Sequence, residues 1–278
     1  MAAKSLSWPS DVLFLVHVRI PAGEGSPELI YAVANQKGGV GKTTTAVNLG
    51  AAFARMGKRV LVVDLDQQAN ATVAFGLDKT DLPTTYEVLS GDVTVAEAAL
   101  PAGPENVWLA PASRDLAGAV VELPRLDDPN TRLTAQLGPL DENFDIVLID
   151  CPPALGPITV NALVAADRVL IPVQAEYLAL EGLVEFLDTI KMVRQQLNPA
   201  LELAGILVTM HDERTRLAQQ VEAELRDHFS ETVFRTVIPR TVRVAEAPSY
   251  GIPVTEYSPT SRGSEAYLAL ADEVAARG

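Results

Sequence analysis

A single cysteine, Cys151, stands in the 278 residues. The chain can therefore form no internal disulfide, and one copy offers no cysteine pair for a metal or cluster. A reducing, cytosolic setting is the default for such a sequence. The three histidines, His17, His211 and His228, are too scattered to make a metal spacing. No run of 18 apolar residues occurs, which excludes a membrane-spanning helix. Positive charge is also short: 22 Lys and Arg face 36 Asp and Glu, a net charge of −14. A surface of that sign repels nucleic acid unless a local basic patch is built on it. Residues 205–278 hold 8 basic against 11 acidic residues, and residues 1–204 hold 14 against 25. The basic residues of that last quarter are all arginine, so a patch is expected there.

Aromatic residues make up only 5% of the chain, but 48% of it is hydrophobic, which suits a core rich in Val, Leu and Ala. The stretch "DVLFLVHVRI" near the start is apolar but short, opens on the acidic Asp11 and is closed by "PAGEGSPE". It lacks the basic flank and small-residue cleavage site of a signal peptide, so residues 1–28 are expected to be a loosely docked extension. From Leu29 onward the pattern alternates. Apolar runs at 29–35, 59–64, 107–112, 144–150, 167–173, 203–209 and 231–238 predict seven strands. Helical periodicity predicts helices from Lys42 to Gly57 and over 85–90, 93–99, 114–123, 131–140, 157–166, 176–197, 215–229 and 263–276. Strand-helix alternation of this kind means a mostly parallel, twisted sheet with helices on both faces. No internal repeat or long linker divides residues 29–278, which are expected to be one α/β domain, with 80–106 decorating the sheet edge.

Between the first strand and the first helix stands "NQKGGVGKTTTAVN", Asn35 to Asn48. Strand, glycines, lysine and hydroxyl in this order are what a phosphate-binding loop requires. Gly38, Gly39, Val40 and Gly41 would turn successive backbone N–H groups toward phosphate oxygens, and the helix N-terminus at Lys42–Thr44 would add its dipole. Lys42 would neutralise the β- and γ-phosphates of a nucleotide, and the Thr43 hydroxyl would bind Mg²⁺. "FDIVLIDCPP" supplies the apolar strand ending in a carboxylate, Asp150, that holds Mg²⁺ through water in such sites. "VLVVDLDQQANAT" adds Asp64 and Asp66, two apart at another strand end and so on one face of an extended chain, although one of the pair could instead cap the following turn. Cys151 reads as a small buried filler.

The usual G-x-x-x-x-G-K-[ST] pattern is broken, because its first glycine falls on Gln36. The run K-G-G-x-G-K-T resembles instead the deviant phosphate loop of the ParA/MinD group of P-loop ATPases. That resemblance implies a P-loop NTPase-like fold, ATP and Mg²⁺ as cofactors, and a role for the extra lysine. Lys37 would reach across an ATP-dependent sandwich dimer to the partner's phosphates, a catalytic cation in trans. It further implies that Asp66 orients the attacking water and that Asp64 supports the Mg²⁺ shell. Gln67 and Ala69 stand where the group usually has proline and glycine.

The single cysteine is at odds with the cluster-carrying branches of the group. The last helix, "GSEAYLALADEVAARG", is acidic rather than basic and does not resemble the lipid-binding end of MinD. "LVTMHDERTRLAQQVEAEL" and "VFRTVIPRTVRVAEAPSYGIPV" resemble the chromosome-partitioning ParA branch, also called Soj. In that branch Arg214 and Arg243 match arginines that hold non-specific double-stranded DNA, with Arg216 and Arg240 as neighbours. Pro239 and Thr241 fall where the branch lines the adenine, Thr241 in place of the usual asparagine. With only 28 residues ahead of the first strand, the larger promoter-repressing type is not expected. The implied function is a slow ATPase whose ATP-bound dimer holds DNA in the cytoplasm, on the nucleoid, until a ParB-type partner triggers hydrolysis. A MinD-like membrane-associated ATPase and an ATP-switched scaffold or regulator of replication initiation are the competing readings.

Overall fold

The computed structural model describes residues 29–77, 83–138, 140, 144–176 and 179–277. The expected extension at 1–28 and parts of the expected helices at 131–140 and 176–197 lie outside them. The strands are β1 (Leu29–Val33), β2 (Val60–Asp64), β3 (Leu100–Pro101), β4 (Val107–Ala110), β5 (Ile146–Asp150), β6 (Arg168–Gln174) and β7 (Glu202–Thr209). They form one sheet in the order β3-β4-β2-β5-β1-β6-β7, parallel throughout except for the edge pair β3/β4.

Each interior strand is apolar on both sides, and its residues alternate between two cores, as a sheet covered on both faces demands. Tyr31, Val33, Val60 and Val62 pack on one face. Ala32, Leu61, Val63, Val147 and Ile149 pack on the other. The first face is covered by α1 (Lys42–Arg55), α2 (Asn70–Ala74), α11 (Val254–Tyr257) and α12 (Arg262–Arg277). The second is covered by α3 (Thr85–Ser90), α4 (Val95–Ala98), α5 (Leu116–Glu122), α6 (Arg132–Leu137), α7 (Pro157–Ala165), α8 (Ala179–Gln196) and α9 (Arg216–Phe229). The short α3 and α4 hold because each begins on a threonine capping box, Thr84 with Glu87 and Thr94 with Glu97. No helix among the described residues is long and apolar enough to cross a membrane.

One expected strand is absent. Residues 231–238 open with a 3₁₀ turn, then run beside β7 with only an isolated bridge between Val233 and Ile206. A distant carboxylate intervenes: Glu273 on α12 accepts the N–H groups of Arg235 (2.7 Å) and Thr236 (2.8 Å), and of these a ladder continuing from Phe234 to β7 would need that of Thr236. The short elements α2, α10 (Val242–Glu246), α11 and β3 carry too few residues for any period to show in the sequence.

Gly205, at φ 155°, lets this segment lie against β7, since a Cβ there would stand 2.7 Å from the Phe234 ring and 2.9 Å from the Thr232 carbonyl oxygen. Gly205→Ala should therefore lower stability by about 1–3 kcal/mol through overpacking, read as a shifted urea midpoint with an unchanged slope.

Candidate functional site

Parallel pairing brings the carboxyl ends of β1, β2 and β5 together, the edge where open α/β sheets bind ligands. The loop from Asn35 to Gly41 leaves β1 at that edge. Asn35 anchors its start, donating to the Pro172 carbonyl (2.8 Å) and accepting the Lys37 N–H (2.9 Å). Gly39 and Gly41 have φ of 73° and 90°, a left-handed backbone that an L side chain adopts only at a cost. Val40 is buried, and its carbonyl accepts the Thr209 hydroxyl from the end of β7 (2.7 Å). Thr209 thus pins the loop crown, a role no local motif announces.

Beside this loop lies a cleft of about 420 Å³. Gly38, Gly39, Gly41, Lys42, Thr43 and Thr44 form its floor, and Asp66 lines it from the β2 side. Its roof is the segment Ala247, Pro248, Ile252 and Pro253, with Met210 alongside. Lys42 is almost fully buried and donates to the Lys37 carbonyl at 3.1 Å. Burial lowers its pKa, and the nearby Asp150 carboxylate opposes that shift.

Asp150 is completely buried, and neither of its oxygens has a hydrogen-bond partner in the protein. Burial, reinforced by Asp64, pushes its carboxyl well above the usual range; the Thr43 hydroxyl is near enough to favour the charged form but makes no full hydrogen bond. A carboxylate stranded in this way beside a phosphate-loop hydroxyl suits a hydrated Mg²⁺, which prefers one or two carboxylates plus phosphate and water oxygens. The described residues contain no group of three or more His, Cys, Asp or Glu able to hold a metal unaided. The fit to Mg²⁺ is therefore one that a nucleotide's phosphates would complete.

Asp64 sits opposite Asp150 in the strand register but has another occupation. Its Oδ2 accepts the Thr72 N–H (2.9 Å) and hydroxyl (2.8 Å), and its Oδ1 accepts the Asp66 N–H (3.1 Å). Burial raises its pKa to about 6 against the pull of those bonds. The geometry therefore gives Asp64 the turn-capping task that the sequence left open, and it does not line the cleft. Asp66 in turn accepts the Gln68 N–H (3.0 Å), and the turn closes on Ala69 at φ 53°. That is a left-handed position, which explains why a glycine would sit there at ease.

Lys37 lies outside this cleft, its Nζ 3.1 Å from Glu176 Oε2. Pro239 and Thr241, expected beside the adenine, line no part of this cleft. Pro239 borders a separate groove with His211 and Glu222, and the Thr241 hydroxyl caps α10 by accepting the Val244 N–H (3.3 Å). Apolar contact at the roof comes instead from Pro248, Ile252 and Met210. Arg214, Arg216, Arg240 and Arg243 are all exposed. The His211 backbone bonds to Ile238 and Arg240, 3.0 Å each, and so joins the loop bearing Arg214 to the segment bearing Arg240. Arg262, which the motifs did not single out, reaches Glu213 at 2.9 Å from the start of α12.

Two measurements test this site. Lys42→Ala should abolish nucleotide binding by calorimetry while the circular dichroism spectrum stays native. In the nucleotide-free protein, Asp64 and Asp150 hold protons that the unfolded chain gives up near pH 4, so the contribution of these two carboxyls to stability is full below that pH and is lost as pH rises, through about 6 for Asp64 and higher for Asp150. Asp150→Asn should flatten that decline in a thermal-midpoint series and raise the midpoint at pH 8.

The chain is similar to known proteins along most of its length. An AAA domain family matches residues 28–203. The chromosome-partitioning ATPase Soj of Thermus thermophilus is 54% identical over 246 residues, 88% of this chain and 95% of that protein. The sporulation initiation inhibitor protein Soj of Bacillus subtilis is 50% identical over 250 residues, 90% of this chain and 99% of that protein. Among solved structures, a cobyrinic acid a,c-diamide synthase from Mycobacterium smegmatis with bound ATP analogue and magnesium superposes with a TM-score of 0.77 at 42% identity, covering 88% of this chain and 93% of that one. With a deviant phosphate loop at the carboxyl edge of a parallel sheet and relatives of this closeness along most of its length, the chain belongs to the ParA/MinD family of ATPases, in its Soj branch.

Proposed function

We propose that this ATPase, working on ATP and Mg²⁺, serves DNA partitioning: its ATP-bound form is a sandwich dimer that holds double-stranded DNA without sequence preference. The observation that carries the reading is a face of exposed arginines, Arg214, Arg216, Arg240 and Arg243, set on a chain of net charge −14. The planar guanidinium binds two phosphate oxygens at once, so such a face grips backbone rather than bases. The names of the Thermus protein above and of the chromosome partitioning protein ParA of Caulobacter vibrioides, 47% identical over 255 residues, support the same assignment. A ParB-type partner would trigger hydrolysis, and the protein would reside in the cytoplasm on the nucleoid.

Within one subunit the chemistry is positioning and neutralisation of charge. Loop N–H groups and Lys42 hold the β- and γ-phosphates. Mg²⁺, when bound, neutralises charge across the same phosphates, with the Thr43 hydroxyl and Asp150 as the residues that would hold it. Asp66 lines the cleft where the attacking water must lie and accepts its proton or orients it. Lys37 lies outside its own cleft in a surface pair with Glu176, which suits a cation that completes the partner's site and makes dimerisation a condition for turnover. A lipid-bound role suits the fold less well: Tyr267, Leu270, Ala271 and Val274 of α12 are buried in the core, leaving no free apolar stripe there for a membrane.

Asp66→Ala should bind ATP, elute as a dimer and turn over at a background rate. Elution as a monomer with saturating ATP would overturn the sandwich. Arg214→Ala with Arg243→Ala should lose most ATP-dependent DNA binding and make log K against log salt shallower by about 0.9 per lost phosphate contact. Unchanged affinity would leave the scaffold reading in place.

A further inference from the structure

Three arginines of this region are already occupied. Arg214 makes a two-pronged contact with Asp212, Nε to Oδ1 at 2.9 Å and Nη2 to Oδ2 at 2.8 Å, and its own N–H also reaches Oδ1 at 3.1 Å. Arg243 holds Glu246 Oε2 at 3.1 Å, and that oxygen also accepts the Tyr257 hydroxyl at 3.3 Å. Arg262 holds Glu213 Oε1 at 2.9 Å. The three pairs belong to one surface. Asp212 and Glu213 are consecutive, and Arg240 adds its charge beside Asp212. The start of α12 abuts α10 so closely that a Cβ on Gly263, next to Arg262, would collide with Val244, next to Arg243.

We propose that Asp212, Glu246 and Glu213 act as internal stand-ins for phosphate, holding Arg214, Arg243 and Arg262 until a DNA backbone displaces them, and that Arg262 belongs to the DNA-gripping face. The inference rests on the DNA-binding reading above. A carboxylate offers an arginine two oxygens in a plane, as a phosphate edge does; Asp212 uses both on Arg214, while Glu246 and Glu213 each hold their arginine through one oxygen. The arginine side chains of these pairs are 58–88% exposed, where an ion pair is weakly held and exchangeable. The Arg214 guanidinium keeps the Asp212 carboxyl far below the ordinary range, so that pair stays charged at any working pH. Binding is then an exchange: each phosphate gained releases a carboxylate that remains nearby and repels the backbone. The result is a grip weaker than the arginine count suggests, and easily let go.

The test compares Asp212→Asn, Glu213→Gln and Glu246→Gln, which keep shape and one acceptor oxygen but remove the charge, with Asp227→Asn, an exposed carboxylate at the far end of α9. Binding of a random-sequence 30-base-pair duplex is measured across a salt series with a non-hydrolysable ATP analogue. Each of the first three should tighten binding by roughly two- to fivefold and steepen the salt slope, while Asp227→Asn changes neither. Arg262→Ala should weaken binding as Arg214→Ala does, with thermal midpoints confirming that the variants fold. Equal effects at all four carboxylates would reduce the result to net charge and overturn the proposal, as would no effect at the first three. If Arg214→Ala with Arg243→Ala also binds normally, the DNA-binding reading itself fails. If that pair loses binding while the carboxylate variants do not tighten, only the stand-ins are disproved.

Discussion

Asp150 is buried on every side with no donor to satisfy it, and much of the surrounding architecture answers to that fact. Strand pairing puts it there: it ends β5 between Val33 of β1 and Asp64 of β2. A carboxylate in that position costs desolvation that Lys42 and Thr43 repay only in part. Lys42 and Thr43 approach it from the helix start, and the free protein responds by keeping the carboxyl protonated well above its ordinary range. The site is therefore unfinished electrostatically as well as sterically. A cation with phosphate oxygens around it cancels the deficit, which links nucleotide affinity to the stability of the sheet edge.

The parts of the fold legible in the sequence were those whose cause is local. Interior strands announce themselves because both faces are covered, so β2 and β5 read as unbroken apolar runs ending in aspartate. The phosphate loop was legible because left-handed backbone at Gly39 and Gly41 restricts which residues can stand there. What escaped depends on partners far along the chain. Nothing in "ETVFRTVI" reveals that Glu273 will take its amides. The spacing of Asp64 and Asp66 suggested a shared face, but Thr72, eight residues on, folds back to claim the first carboxylate and leaves only the second at the cleft. The roof of the cleft is built from residues 247–253, whose short turns carry no periodic signal.

Lys37 illustrates how a residue can be positioned by what it lacks. Its own loop directs it away from the cleft, and Glu176, itself bonded through Oε1 to the Gln174 amide at 2.7 Å, gives it a half-exposed resting place. Such a pair is weakly held in solvent, so the ammonium can leave the carboxylate without first crossing a buried barrier.

The roof segment has a mechanical consequence. Ala247 and Pro248 face the nucleotide cleft, and Arg243 lies four residues earlier, about one helical turn away. A lever so short has almost no slack. Because α10 runs straight into the 3₁₀ turn Ala247–Tyr250, a displacement of that wall would have only one helical turn in which to be absorbed before it reached Arg243.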